Sequence, residues 1–172
     1  GLTLVELLIF SAIFMVISVV FIAILISVTR VYVRQSSAAE VNQQSHFLLQ
    51  TIQRYVEQSS LIEEPVSENT PGSVLNLRLP ESLDLAKIYL SNGIVYLERV
   101  DSDVSGAVPT IEPLTTDSVT VSDLTFTKRS NPSSRDSISF SFGVSFNTTN
   151  PQQQFSQMFS SGVARVNAAV FD

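Results

Sequence analysis

A chain of 172 residues with a formal net charge of −6 and no cysteine has room for one or two domains and none for disulfides or thiolate metal sites. The charge is uneven: the first 59 residues hold Glu6, Glu40 and Glu57 against Arg30, Arg34 and Arg54, so the whole acidic excess falls on the remainder. That balance argues against nucleic acid as a partner, because phosphate recognition needs a concentrated basic patch.

From Leu7 to Thr29 there is no charged side chain, and the run to Val28 is almost wholly apolar. Its 22 residues, at about 1.5 Å rise each, give roughly 33 Å of helix, which matches a hydrocarbon core of about 30 Å. The run is longer than the apolar region of a secretory signal, and no small-residue cleavage site follows it convincingly. Its many Val and Ile residues favour strands in water. In lipid a lone segment must satisfy its backbone hydrogen bonds internally, which selects a helix.

No Gly or Pro occurs from Leu2 to Glu64, so nothing obliges the helix to stop at the membrane surface. Beyond it, Ala38, Val41, Ser45, Leu48, Ile52, Tyr55, Ser59 and Ile62 recur at three- and four-residue steps. This is a helical stripe with polar flanks. One helix from about Leu2 to Ser59 is predicted, the first half lipid-soluble and the second laying its stripe on the head.

After Pro65 the period changes to two. Leu75, Leu77 and Leu79 alternate with Asn76 and Arg78 in a short half-buried strand. Lys87–Leu90 and Ile94–Val100 flank Asn92-Gly93, a type I′ hairpin signal. That turn pairs Leu90 with Val95, Tyr89 with Tyr96, Ile88 with Leu97 and Lys87 with Glu98. Val119 and Val121 are out of phase with Leu124 and Phe126, which predicts a bulge near Ser122-Asp123. Ile138, Phe140, Phe142, Val144 and Phe146 alternate with small residues as a clear strand, and a last strand is expected near Val163–Phe171. Residues 67–73, 101–117 and 147–154 read as loops. There is no internal repeat.

The opening Gly1-Leu2-Thr3-Leu4-Val5-Glu6, followed by the apolar run, resembles the processing and assembly motif of type IV pilins and type II secretion pseudopilins. The resemblance covers about the first 30 residues. It implies that Gly1 precedes the cut made by a prepilin peptidase and that Leu2 becomes the N-methylated N-terminus. Thr3 and Leu4 match the next positions, and Glu6 is the assembly glutamate. Leu2 stands where Phe or Met is usual. Gly1 leaves with the leader in that family, so its presence implies an unprocessed form or a sequence starting at the motif. The head's hairpin and later strands resemble minor pilins of the pseudopilin J kind.

The implied protein is a non-enzymatic structural subunit, minor or initiating, of a type IV pilus-like filament or type II secretion pseudopilus. Before assembly it crosses the inner membrane once with its head extracytoplasmic; afterwards it sits in an extracellular or periplasmic filament. Its implied partners are other pilin or pseudopilin subunits, the prepilin peptidase, the inner-membrane assembly platform and the membrane. Arg30 and Arg34 flank the C-terminal end of the apolar run, and a simple positive-inside count would place that end in the cytoplasm. The resemblance implies the reverse, with a basic leader holding the other end inside.

Glu6 has a reading of its own. A carboxylate at the edge of an apolar helix is costly, and from Leu2 to Thr29 there is no Lys, Arg or His to pair with it. An α-amino group freed by cleavage before Leu2 supplies that cation, on a neighbouring subunit or on the same one. The plainer alternative is a capping box, Thr3-Leu4-Val5-Glu6, with Glu6 folded back on the first turn.

Asp101, Asp103 and Ser105, with Gly106 and Glu112, match the spacing of an EF-hand Ca²⁺ loop. A preceding strand and Pro109 at the ninth position favour a solvated acidic turn instead. His46 reads as a packing or surface residue, and the phenylalanines of residues 140–146 as core. No nucleophile elbow, phosphate loop or paired His and acid supports catalysis.

The predicted fold class is α+β and pilin-like, one long N-terminal helix packed on an antiparallel β-sheet head. Residues 1–29 form the processing motif and transmembrane assembly helix, 30–62 its amphipathic continuation, and 63–172 the β-rich head. The rivals are an anchored binding module that never polymerises and an anchored enzyme.

Overall fold

The structure, a computed structural model, describes residues 3–80, 85–100, 108–130 and 135–166. A single helix, α1 (Leu4–Gln58), runs for 55 residues, about 82 Å at 1.5 Å per residue. Among the described residues nine strands follow, their pairings antiparallel apart from one isolated bridge. They are β1 (Leu61–Glu64), β2 (Pro71–Gly72), β3 (Val74–Arg78), β4 (Leu85–Ser91), β5 (Ile94–Val100), β6 (Thr110–Pro113), β7 (Val119–Arg129), β8 (Ser137–Phe146) and β9 (Ser156–Ala164).

The two halves of α1 live in different environments. From Leu4 to Tyr32 every large apolar side chain is about half exposed or more, and the first buried residue is Ser37. This half is long and apolar enough to cross a membrane. Two of its hydroxyls are satisfied within the helix: Ser11 Oγ donates to the Leu8 carbonyl at 3.1 Å and Thr29 Oγ1 to the Leu25 carbonyl at 2.8 Å. A hydroxyl bonded this way asks nothing of a lipid surround.

The second half buries Val41, Ser45, Leu48, Ile52 and Tyr55 of the predicted stripe, together with Ser37, Thr51 and Val56. The stripe does not continue to Ile62 as one helix. Ser59 is extended at φ −69°, ψ 143°, its N–H and Oγ both bonded to the Val56 carbonyl, and Ile62 is buried from β1 instead. Ser and Thr readily take such local bonds in place of helical ones, which stops the helix without Gly or Pro.

The strands form two sheets where one was expected. The five-stranded sheet runs β1-β3-β4-β5-β6 and the four-stranded sheet β2-β7-β8-β9. In the β4–β5 hairpin, Leu90 pairs with Val95, Tyr89 with Tyr96, Ile88 with Leu97 and Lys87 with Glu98, as the turn requires. Asn92 and Gly93 both have positive φ, 51° and 80°. The bulge falls between Ser122 and Thr125, with Asp123 at φ 53°.

Three segments differ from expectation. Pro71–Gly72 pairs with Thr127 and Phe126, and Thr110–Pro113 pairs along β5, so both leave the expected loops. Among the described residues the last strand is Ser156–Ala164, which begins seven residues before the expected Val163 and shares Val163 and Ala164 with that expectation; residues 167–171 of it lie outside the described residues. Opposite the buried Val144 and Phe140 of β8 it carries Gln157, which is exposed, and Ser161, which is half-buried, so it lacks the apolar alternation that marks β8.

One hydrophobic cluster joins the helix and both sheets. Val41, Leu48, Ile52, Tyr55 and Val56 meet Leu75, Leu77, Ile88, Val95 and Leu97 of the larger sheet and Val121, Phe126, Ile138, Phe140 and Phe142 of the smaller. Phe142 stacks between Phe140 and Phe159, at 6.3 and 5.6 Å between ring centroids. Val121 N also donates to the Gly93 carbonyl at 2.8 Å, tying the hairpin turn of one sheet to the other. The head is therefore a single packed body with the end of the helix inside it.

Candidate functional site at the helix tip

The first turn of α1 closes on itself. Thr3 is the N-cap, with extended backbone at φ −74°, ψ 152°. Its Oγ1 accepts from the Glu6 N–H at 3.4 Å, while Glu6 Oε2 accepts from the Thr3 N–H at 2.8 Å and from Thr3 Oγ1 at 3.1 Å. This is the reciprocal capping box. It satisfies two helix-end donors, and the positive end of the helix dipole favours the carboxylate there.

The box uses only one of the two carboxylate oxygens. Glu6 Oε1 has no hydrogen bond among the described residues. The first basic residue along the chain is Arg30, twenty-four residues on and about 36 Å away along the helix. Glu6 is thus a carboxylate with acceptor capacity to spare, at the end of an apolar surface and beyond reach of any cation on the described helix. Chemically it can take one more strong donor, and a cation is the donor that an apolar surround demands.

Of the other sequence-derived positions, Leu4 opens the helix with its side chain exposed. Gly1 and Leu2 lie outside the described residues, as do Asp101, Asp103 and Ser105. Glu112 is an exposed residue of β6 opposite Leu97, where an EF-hand would begin its second helix. Among the described residues no three His, Cys, Asp or Glu side chains gather to hold a metal. His46 is exposed with its ring edge towards Phe159 at 6.4 Å, and Phe140 and Phe142 are core.

Sequence reasoning passed over two polar features of the head. Glu40 Oε1 accepts from Ser118 Oγ and from Gln44 Nε2, each at 3.2 Å, and fixes the segment before β7 to the helix. Arg165 reaches from the end of β9 to the Ser60 carbonyl, beside Asp136 and Lys128. A lone Arg after a weak strand carries no signal of such a long-range contact.

The architecture is α+β and pilin-like: an apolar helix half that stands free, a second half packed into a head of two antiparallel sheets. Scanned against protein-family models, curated proteins and solved structures, the chain matches none of them.

Proposed function

We propose that the chain is a structural subunit, minor or initiating, of a filament of the type IV pilus or type II secretion pseudopilus kind. The observation that carries this reading is the spare oxygen of Glu6 at the tip of a charge-free apolar helix. A prepilin peptidase cutting before Leu2 would create an α-ammonium group at the same depth. Pairing that group with Glu6 of a neighbouring subunit fixes axial register, while apolar surface passes from lipid into a bundle of like helices. The transfer is cheap because lipid tails and packed aliphatic side chains are similar solvents. The acidic head then stays outside the bundle and meets the surroundings.

In this reading the helix crosses the inner membrane once before assembly, with the head extracytoplasmic, and an assembly platform extracts it. Subunits carrying Glu6→Leu, and subunits whose leader is never removed, are followed into filaments by shearing and immunoblotting. Both should stay in the membrane fraction. Filament incorporation equal to the unaltered chain in either case overturns the reading.

The completed capping box favours a second reading, a single-pass anchor carrying a binding head that does not polymerise. Under it, Glu6 is already sufficiently partnered by Thr3, and its loss leaves the location of the protein unchanged.

A further inference from the structure

Between α1 and the edge of the five-stranded sheet lies an open groove of about 850 Å³ that the helix-tip reading does not use. Its volume falls within the range of about 300–1,000 Å³ usual for small-ligand clefts. One wall is helical: Gln43, Phe47 and Gln50 stand at i, i+4 and i+7 on one face of α1. The facing wall carries Tyr96 and Pro113, cross-strand partners on β5 and β6.

The groove is held open by the fold. Leu114 N donates to the Val95 carbonyl at 2.7 Å and Val95 N to Thr115 Oγ1 at 3.1 Å, which pins the floor to the sheet. Ser118 Oγ pins the same segment to Glu40 on the helix. A ligand meeting walls already fixed loses little to ordering them.

The lining has a definite chemistry. Phe47 is 53% exposed, a ring left in water on the helix face it shares with Gln43 and Gln50. Neither the Gln43 nor the Gln50 amide has a hydrogen-bond partner among the described residues, so each offers both donors and an acceptor. No Lys or Arg lines the groove, and Asp117 is the one carboxylate. His46 is the one lining side chain able to carry positive charge, so an anionic ligand finds no fixed counter-charge there. An extended peptide would draw on the free edge of β6, where Pro113 offers no N–H.

We propose that this groove is a binding site for a neutral oligosaccharide. Sugar rings present apolar C–H faces to the positions of Phe47 and Tyr96, whose ring faces carry partial negative charge. Their hydroxyls, each donor and acceptor, match the free amides, and Asp117 accepts from one more.

The test uses the full chain in a sugar-free detergent, titrated with a panel of short neutral hexose and N-acetylhexosamine oligosaccharides by saturation-transfer NMR and calorimetry. At least one should bind saturably, and Phe47→Ala should weaken it roughly tenfold or more, about 1.4 kcal/mol. The pair Gln43→Ala and Gln50→Ala, both exposed, should weaken it comparably with an unchanged melting temperature. Absence of saturable binding across the panel, or binding indifferent to both variants, overturns the proposal. Binding of a proline-rich peptide in place of every sugar overturns it as well.

Discussion

Arg165 and Ser60 meet where the helix hands over to the first strand: the guanidinium Nη1 donates to the Ser60 carbonyl, 105 positions away in sequence. Lys128 Nζ donates to the Ile62 carbonyl at 3.1 Å, and both cations lie 3.7 Å from Asp136 Oδ2. Three charged side chains, each less than a fifth exposed, thus anchor the segment leaving the helix to β7, β8 and β9.

Arg165→Met keeps the apolar stem of that side chain and removes its donors. The expected loss is about 1.5–3 kcal/mol, the usual worth of a hydrogen bond to a charged group. Chemical denaturation of the full chain in detergent measures it. A loss below about 0.5 kcal/mol, the level of an ordinary surface change, would show the contact to be incidental.

Gly93→Ala tests the hairpin turn. At φ +80° an Ala costs about 1–2 kcal/mol. Its Cβ would also stand 2.8 Å from Thr120 Cγ2, so adding Thr120→Ala should recover the steric part and leave the conformational part. Equal melting temperatures for the two variants would rule out the steric component.

Phe142→Ala removes a fully buried ring from the stack with Phe140 and Phe159. The expected cost is about 3–5 kcal/mol, the range for deleting a buried aromatic ring. Because the cluster spans both sheets and the helix, the variant should still lose structure in one transition. Separate transitions by fluorescence and circular dichroism would contradict a shared core.

Glu6→Gln separates the two roles of the helix-tip acid. The amide oxygen still accepts from the Thr3 N–H and preserves the cap, while the charge is gone. If charge pairing drives assembly, Glu6→Gln fails to form filaments as completely as Glu6→Leu. If capping is what matters, Glu6→Gln assembles normally and only Glu6→Leu is impaired.

The helix and the hairpin were legible in the sequence because their determinants are local. An uncharged run without Gly or Pro and an Asn-Gly pair each admit few backbone solutions, and the phase change around Asp123 betrayed its bulge. The helix end near Ser59 was anticipated, but the amphipathic continuation to residue 62 overran it, since Ile62 keeps helical spacing while its backbone already belongs to β1. The first seven residues of β9 were missed because it forms the edge of its sheet, where the exposed Gln157 and half-buried Ser161 stand in place of aliphatics. The partition into two sheets depends on which distant strands pair, which local patterning does not encode. At the helix tip, the spacing of Thr3 and Glu6 announced the cap. The groove beside Phe47 has no signature beyond one aromatic ring among glutamines.

No swivel separates rod from head, since α1 is unbroken from Leu4 to the turns embedded beneath β7, β8 and β9. One alanine inserted after Arg34 would twist the two by about 100°, whereas seven would restore the phase to within about 20°. The azimuth of the head about the helix axis is thereby written into the residue count of a single helix.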